Sequence, residues 1–299
     1  MELKNLTTEK RNEKSRNIDE VSTLDMLRII NEEDKTVAFA VEKILPEIAK
    51  SVDIIAEKMK NGGRLFYAGA GTSGRLGVLD ASECPPTFGA RFELVQGLIA
   101  GGFGAMFKAV EGAEDSLTQG ETDLKERNFS SGDVLVGIAA SGRTPYVIGA
   151  LTYAKSIKAT TIALACSENP KIAEYADISL NPVTGAEVIT GSTRMKAGTA
   201  QKLVLNMIST GAMIKLGKVY GNLMVDLQAT NEKLKARAAN IVSEATGASK
   251  DEAVEALMKS DGNAKLAIFL LLTGLSKSEG EQTLKNCNGI LRQAMEAVK

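Results

Sequence analysis

The chain contains no histidine and no tryptophan, and the first absence removes a whole class of chemistry. Histidine is the side chain whose ordinary pKa lies closest to neutrality, so proton transfer falls to carboxylates, lysine, tyrosine, cysteine or water. A histidine-ligated metal and a serine–histidine–aspartate triad are excluded, and no metal or organic cofactor is expected. Cysteine is nearly as scarce. Cys84, Cys166 and Cys287 are odd in number and widely spaced, the usage of a reduced cytoplasmic protein rather than of a disulfide framework. An excess of one charge is also missing: 36 basic and 37 acidic residues leave a net charge of −1, so nothing draws the chain as a whole to nucleic acid. The longest strongly apolar run, Ala267–Leu272, is far too short to span a bilayer. The polar start Met1–Lys10 has no apolar core, so no secretory signal is expected there.

What is present is a pair of loops. A strand-like run, Arg64–Ala68, leads into Gly69-Ala70-Gly71-Thr72-Ser73-Gly74-Arg75, and a second, Asp133–Ala139, leads into Ala140-Ser141-Gly142-Arg143-Thr144-Pro145. Each carries Ser-Gly-Arg and opens a helix-like segment. Glycines let the backbone turn tightly and approach a ligand, and free amides at a helix start beside hydroxyl side chains suit an anion such as phosphate. Two such loops in one sheet suggest a phosphorylated small molecule in the crevice at the strands' carboxyl ends.

Hydrophobic residues make up 44% of 299, enough for one large domain with a small appendage. Residues 1–20 are polar and read as an extended N-terminal arm. Helical patterns follow over Thr23–Asn31 and Asp34–Asn61. Strands are then expected at Leu65–Ala68, Phe92–Val95, Val134–Ala139, Thr160–Ala165 and Asp177–Leu180. They alternate with helices at 74–81, 104–118, 144–157, 169–176 and 195–217, the pattern of an α/β doubly wound parallel sheet. This domain is assigned to 21–225. Residues 226–299 read as a small all-helical C-terminal domain with helices at 225–246, 250–260, 262–273 and 277–297, the second starting on a capping sequence at Ser249.

Gly69–Gly74 fits GxGxxG, a dinucleotide fingerprint that is weak by itself. The following strand, Arg91–Gln96, does not end in the acidic residue that would hold a ribose, and two hydroxyls occupy positions that are usually apolar. The paired loops resemble instead the sugar isomerase (SIS) domain, a doubly wound phosphosugar-binding fold. The segment Gly185-Ala186-Glu187-Val188-Ile189-Thr190-Gly191-Ser192-Thr193-Arg194-Met195-Lys196, continuing to Lys202, is similar to the signature shared by glucokinase regulatory proteins and N-acetylmuramic acid 6-phosphate etherases. Thr8–Asn12, Asp80–Phe88 and Ala109–Asp115 resemble further etherase segments. The likeness runs from about residue 5 to the carboxyl end, and the single-SIS length favours the etherase family.

That resemblance implies cleavage of the D-lactyl ether of N-acetylmuramic acid 6-phosphate to N-acetylglucosamine 6-phosphate and D-lactate, in bacterial cytoplasm, by a homodimer with its site near the subunit interface. It implies Glu83 as proton donor to lactate and Glu114 as second acid/base. The expected substrate-binding residues are Gly71, Thr72, Ser73, Ser141, Gly142, Thr144, Glu187, Ser192, Thr193 and Arg194. From the residues alone, the hydroxyls could equally be helix caps, Glu83 a solvated loop carboxylate ahead of Pro85-Pro86, and Glu114 a helix-surface acid. Arg75 and Arg143 could pair with phosphate or with acids across an interface, and Lys196 and Lys202 could merely decorate a helix. A non-catalytic phosphosugar sensor and an aldose–ketose phosphosugar isomerase are the alternative functions.

Overall fold

Five short runs rich in aliphatic residues form a parallel sheet in the computed structural model, which describes residues 7–227 and 232–299. The strands are β1 (Leu65–Gly69), β2 (Val95–Ile99), β3 (Val134–Ile138), β4 (Thr160–Leu164) and β5 (Ile178–Leu180), in the order β2-β1-β3-β4-β5. β1 and β3 pair from Leu65 opposite Val134 to Gly69 opposite Ile138 and are buried along their whole length, as central strands covered on both faces are. The chain leaves β1 towards one edge and returns at β3 to build the other. The strand order therefore reverses between them, where open α/β sheets bind ligands. The doubly wound parallel sheet expected from the alternation is the fold observed.

The helices of this part are α1 (Thr23–Asp34), α2 (Thr36–Glu42), α3 (Leu45–Lys60), α4 (Gly71–Phe88), α5 (Gln119–Glu126), α6 (Pro145–Ser156) and α7 (Lys196–Lys215). Several differ from expectation. The helix expected over Asp34–Asn61 is two, because Pro46 begins a new helix and Ile44 leaves helical geometry (φ −114°, ψ 16°). The helix expected at 74–81 starts at Gly71 and runs through Pro85 and Pro86 to Phe88. The expected helix 104–118 does not form. Gly101, Gly102 and Gly112 take positive φ, leaving only short 3-10 turns at Phe103–Met106 and Ala113–Asp115, before α5. The strand expected at Phe92–Val95 lies later, at Val95–Ile99. Its Gly97 faces the α4 backbone so closely that a Cβ would sit 2.5 Å from Val78 Cα. Residues 169–176 give only a 3-10 turn at Lys171–Tyr175.

The expected extended arm is, over its described residues, two 3-10 turns docked on the domain. Ser15 Oγ donates to Val188 O at 2.7 Å, and Asn12 Nδ2 donates to Glu33 at 2.8 Å and to Ala186 O at 3.3 Å. Glu33 also takes Lys14 Nζ at 2.9 Å and the buried Lys196 Nζ at 2.7 Å. Burial alone would raise the Glu33 pKa, but the bonds from Lys196, Lys14 and Asn12 outweigh it and bring it down to about 2.

The chain divides into two compact units. One holds the described residues up to 82 with Glu93–Ser209; the other holds Glu83–Phe92 with the described residues of 210–299. The second contains an antiparallel hairpin, β6 (Val219–Tyr220) with β7 (Leu223–Met224), where wholly helical structure was expected only from 225. The helices α8 (Glu232–Thr246), α9 (Lys250–Lys259), α10 (Ala264–Thr273), α11 (Lys277–Asn286) and α12 (Leu291–Ala297) follow. Residues 228–231 of the expected 225–246 helix lie outside the described residues. Ser249 with Glu252 and Ser276 with Glu279 form capping boxes on α9 and α11. Positive φ at Asn288 and Gly289 divides the expected 277–297 helix in two. Val242, Ala253, Ile268, Phe269 and Leu291 are central to this unit's core.

Two predictions follow from this packing. A Cβ at Gly149 would lie 1.8 Å from the Leu117 carbonyl oxygen, whereas one at Gly132 would meet nothing closer than 3.7 Å. Gly149→Ala should therefore lose roughly 1–3 kcal/mol in chemical denaturation, and Gly132→Ala no more than about 0.5 kcal/mol. For Glu33, whose pKa is depressed on folding, the stabilisation is complete above the unfolded value of 4.5 and fades as pH falls towards about 2. That gap corresponds to about 3 kcal/mol. Glu33→Gln should be clearly less stable than the parent at pH 7 and nearly equal to it at pH 2, and a pH-independent deficit would refute the assignment.

Candidate active site

The crevice is built from three loops at the carboxyl ends of β1, β3 and β4, joined by the start of α7. At the first, Gly69 and Gly74 are required by close approach: a Cβ on Gly69 would lie 2.7 Å from Gly74 N, and one on Gly74 2.6 Å from Gly69 O. Gly71 has φ +53° and turns the chain into α4. The first amides of α4 thus follow directly on the loop, as an anion site requires. Ser73 is buried and donates its hydroxyl to Gln201 Oε1 at 3.1 Å. Arg75 Nε and Nη2 donate to the Met106 and Ala105 carbonyls at 2.9 and 2.7 Å.

At the second loop Gly142 has φ +71°, and Pro170 packs where a side chain would be. Ile172 N donates to Gly142 O at 2.9 Å, and Ser167 Oγ to Ser141 O at 2.8 Å. α6 begins with Thr144 at its N-cap and Pro145 inside the first turn, and the Thr144 side chain makes no capping bond. The Nε of the neighbouring Arg143 is buried without a partner among the described residues.

The last element is the turn before α7. Glu187 is fully buried and accepts the amides of Lys196 and Ala197, both at 2.9 Å. Burial raises its pKa, partly offset by those two N–H groups. Its carboxylate supports the helix start rather than opening into the crevice. Gly191 has φ +77°, and Glu9 Oε2 lies 3.1 Å from where its Cβ would be. Ser192 and Thr193 are half-buried in this turn, and Arg194 is exposed. Lys196, read as possible helix decoration, is instead buried against Glu33, whereas Lys202 is exposed.

These elements touch. Cys166 N donates to Ala140 O at 3.0 Å and its Sγ to Ala197 O at 3.5 Å, tying the β3 and β4 loops to α7. Gly198 of α7 leaves room for the Thr72 methyl, which would lie 3.5 Å from a Cβ there. Around this ring the side-chain hydroxyls of Thr72, Ser141, Thr144, Ser192 and Thr193 have no hydrogen-bond partner among the described residues; of the six expected, Ser73 alone is engaged there.

Glu114 lies in the 3-10 turn after Gly112, exposed, in a cleft shared with Ala70, Gly71, Arg75 and Ala100. It is a turn residue rather than the helix-surface acid considered from sequence. Glu83 is also exposed, but it sits within α4, three turns beyond Gly71. Three residues earlier, the buried Asp80 accepts from Tyr67 Oη at 2.9 Å, Asn206 Nδ2 at 2.7 Å and Ser209 Oγ at 3.1 Å. Burial raises its pKa against those donors. Sequence reasoning passed over Asp80, Gln201, Glu33 and the contacts of Glu9. The available signal for Gln201 was a polar side chain on a helix face otherwise formed by Ala197, Ala200, Val204 and Ile208.

Family models match the glucokinase regulatory protein N-terminal SIS domain over 47–155, the SIS domain over 117–210, and the C-terminal lid domain of glucokinase regulatory protein over 221–266. A Bacteroides fragilis protein crystallised as a candidate phosphosugar isomerase for capsule formation shares the fold, with a TM-score of 0.50 at 19% identity over 66% of this chain and 94% of its own. The N-acetylmuramic acid 6-phosphate etherase of Clostridium beijerinckii is 61% identical over 298 residues, covering 100% of this chain and 98% of the relative. That of Photobacterium profundum is 60% identical over 299 residues, with 100% and 99% covered. At that identity over its whole length, the chain belongs to the N-acetylmuramic acid 6-phosphate etherase family.

Proposed function

We propose that the protein cleaves the D-lactyl ether of N-acetylmuramic acid 6-phosphate, giving N-acetylglucosamine 6-phosphate and D-lactate. The observation that carries this reading is the ring of hydroxyls, five of them without a hydrogen-bond partner among the described residues, on glycine-shaped loops at the strand ends, in a chain of etherase lineage. Phosphate suits such a site, because backbone amides and hydroxyls supply donors that lose little by desolvation when an anion takes them. The full-length relatives named as etherases, at 58–61% identity, do not favour a non-catalytic sensor or an isomerase.

Two carboxyl groups suffice for the chemistry. Opening the sugar ring exposes an aldehyde at C1, which acidifies the hydrogen on C2. A carboxylate removes that proton while a carboxylic acid protonates the ether oxygen on C3, and lactate leaves as the C2–C3 double bond forms. Water then adds at C3 and a proton returns to C2. The net change is consumption of one water. Glu83 takes the role of proton donor to lactate and Glu114 that of the second acid/base. Glu114 is supported by its cleft beside Gly71, and Glu83 by its matching position in the family segment.

The site is read as completed by a second copy of the chain. Phe103 and Phe107 stack edge to face at 5.9 Å while 82% and 83% exposed, and Val110 of the Glu114 cleft is 47% exposed. An apolar patch of this kind is characteristic of protein contact. Three cysteines that form no disulfide among the described residues, and the absence of any described helix long and apolar enough to cross a membrane, accord with work in the cytoplasm.

Incubation of the purified protein with N-acetylmuramic acid 6-phosphate should release D-lactate, and no release would reject the reading. In D₂O the sugar product should carry deuterium at C2, and with H₂¹⁸O the label should enter at C3, not lactate; protium at C2 would exclude elimination. Glu83→Gln and Glu114→Gln should each lose about 10²–10⁴-fold in rate while keeping the fold. Light scattering should give twice the 31.7 kDa of one chain, and a fully active monomer would dismiss the shared site.

A further inference from the structure

Gln201 lies on the second turn of α7 and is 1% exposed. Its Oε1 accepts the Ser73 hydroxyl, while its Nε2 is buried without a partner among the described residues. Ser73 stands in the first turn of α4, beside Thr72 and directly after the Gly71 turn. A hydroxyl has one proton to give. While that proton is held by Gln201, Ser73 cannot donate to an anion at the loop. A carboxamide, however, carries a donor and an acceptor at its two ends. A half-turn about its last side-chain bond brings Nε2 to Ser73 Oγ and releases the Ser73 proton.

We propose that Gln201 is a positioning residue for phosphate recognition: its amide reverses when the phosphosugar binds, so that Nε2 donates to Ser73 Oγ and Ser73 donates to a phosphate oxygen. This rests on the reading that the first loop holds the 6-phosphate. Two bonds pointing the same way reinforce one another, each donor polarising the next. The reversal gives Nε2 an acceptor and leaves Oε1 in the place Nε2 held, so the gain comes from the new Ser73–phosphate bond. Without an anion, the arrangement seen here gives the Ser73 proton an acceptor instead. Gln201 acts through Ser73 alone and touches neither the lactyl group nor the reacting carbons.

The test is calorimetric binding of N-acetylglucosamine 6-phosphate to the full-length protein, with steady-state turnover measured alongside and thermal melting used to confirm folding. Gln201→Glu, measured at a pH high enough to ionise the new carboxyl, is acceptor-only and keeps the Ser73 proton. It should weaken binding at least about 10-fold, as expected for a lost hydrogen bond to a charged group, and raise KM while kcat stays within about 2-fold. Gln201→Met, of similar volume, frees the Ser73 proton without supporting it and should cost only about 3-fold. The pair should be non-additive: Ser73→Ala with Gln201→Glu should bind no worse than Ser73→Ala alone. Additive losses, wild-type binding by Gln201→Glu, or a larger loss in Gln201→Met than in Gln201→Glu would overturn the proposal. If Gln201→Glu does not fold, the cycle of Ser73→Ala with Gln201→Met decides by the same criterion. Lactate release by the wild type reports separately on the etherase reading, since the cycle is read from binding alone.

Discussion

A helix that begins inside a protein must find acceptors for its first amides, and α7 finds them in Glu187, whose two oxygens take Lys196 N and Ala197 N. The same residue that gives an amide to Glu187 sends its side chain to Glu33, which gathers Asn12 and Lys14 from the N-terminal segment. The first two turns of α7 therefore fix the Gly191–Arg194 loop, the described N-terminal residues and the α4 start they meet through Gln201. A buried ion pair of this kind is weak evidence of net stabilisation, because desolvation offsets much of its attraction. Its geometric demand is strong. Lys196 is 3% and Glu33 6% exposed at their side chains, so displacing either leaves a charge in the interior.

The sheet was legible in the sequence because central parallel strands are continuous apolar runs, and β1, β3 and β4 fall within a residue of expectation. The misjudged elements fail for separate reasons. β2 carries Gln96 and Gly97 where a buried strand would be apolar, since Gly97 is dictated by the nearness of Val78. Around 104–118 the side chains have helical propensity, but the positive-φ glycines just before it, at 101 and 102, and within it, at 112, veto a helix. Pro85-Pro86 reads as a helix stop because each lacks an N–H, yet α4 continues through both.

Within the site, the glycines and hydroxyls were legible and their supports were not. A local turn announces itself by composition, since only glycine fits φ +53° at 71 or +71° at 142 without strain. A support such as Glu33 beneath Lys196, 163 residues apart, or Ser73 against Gln201, 128 apart, leaves no local trace. Arg75 shows the converse hazard: placed beside a phosphate-type loop, it spends its guanidinium on two carbonyls of the next turn.

The absence of histidine leaves the proton transfers of the proposed reaction to side chains of other kinds. Glu83 and Glu114, the two carboxylates of the proposed reaction, are both exposed, so bound substrate and a covering second chain would each change their surroundings. A second subunit would cover the apolar Phe103 and Phe107 patch and withdraw water from the neighbouring Glu114 cleft. The lactyl carboxylate would bring a negative charge close to whichever glutamate meets the ether oxygen, and a like charge at that distance favours the protonated form. The acid would then be armed by the leaving group it serves, a route to general acid catalysis that needs no side chain titrating near neutrality.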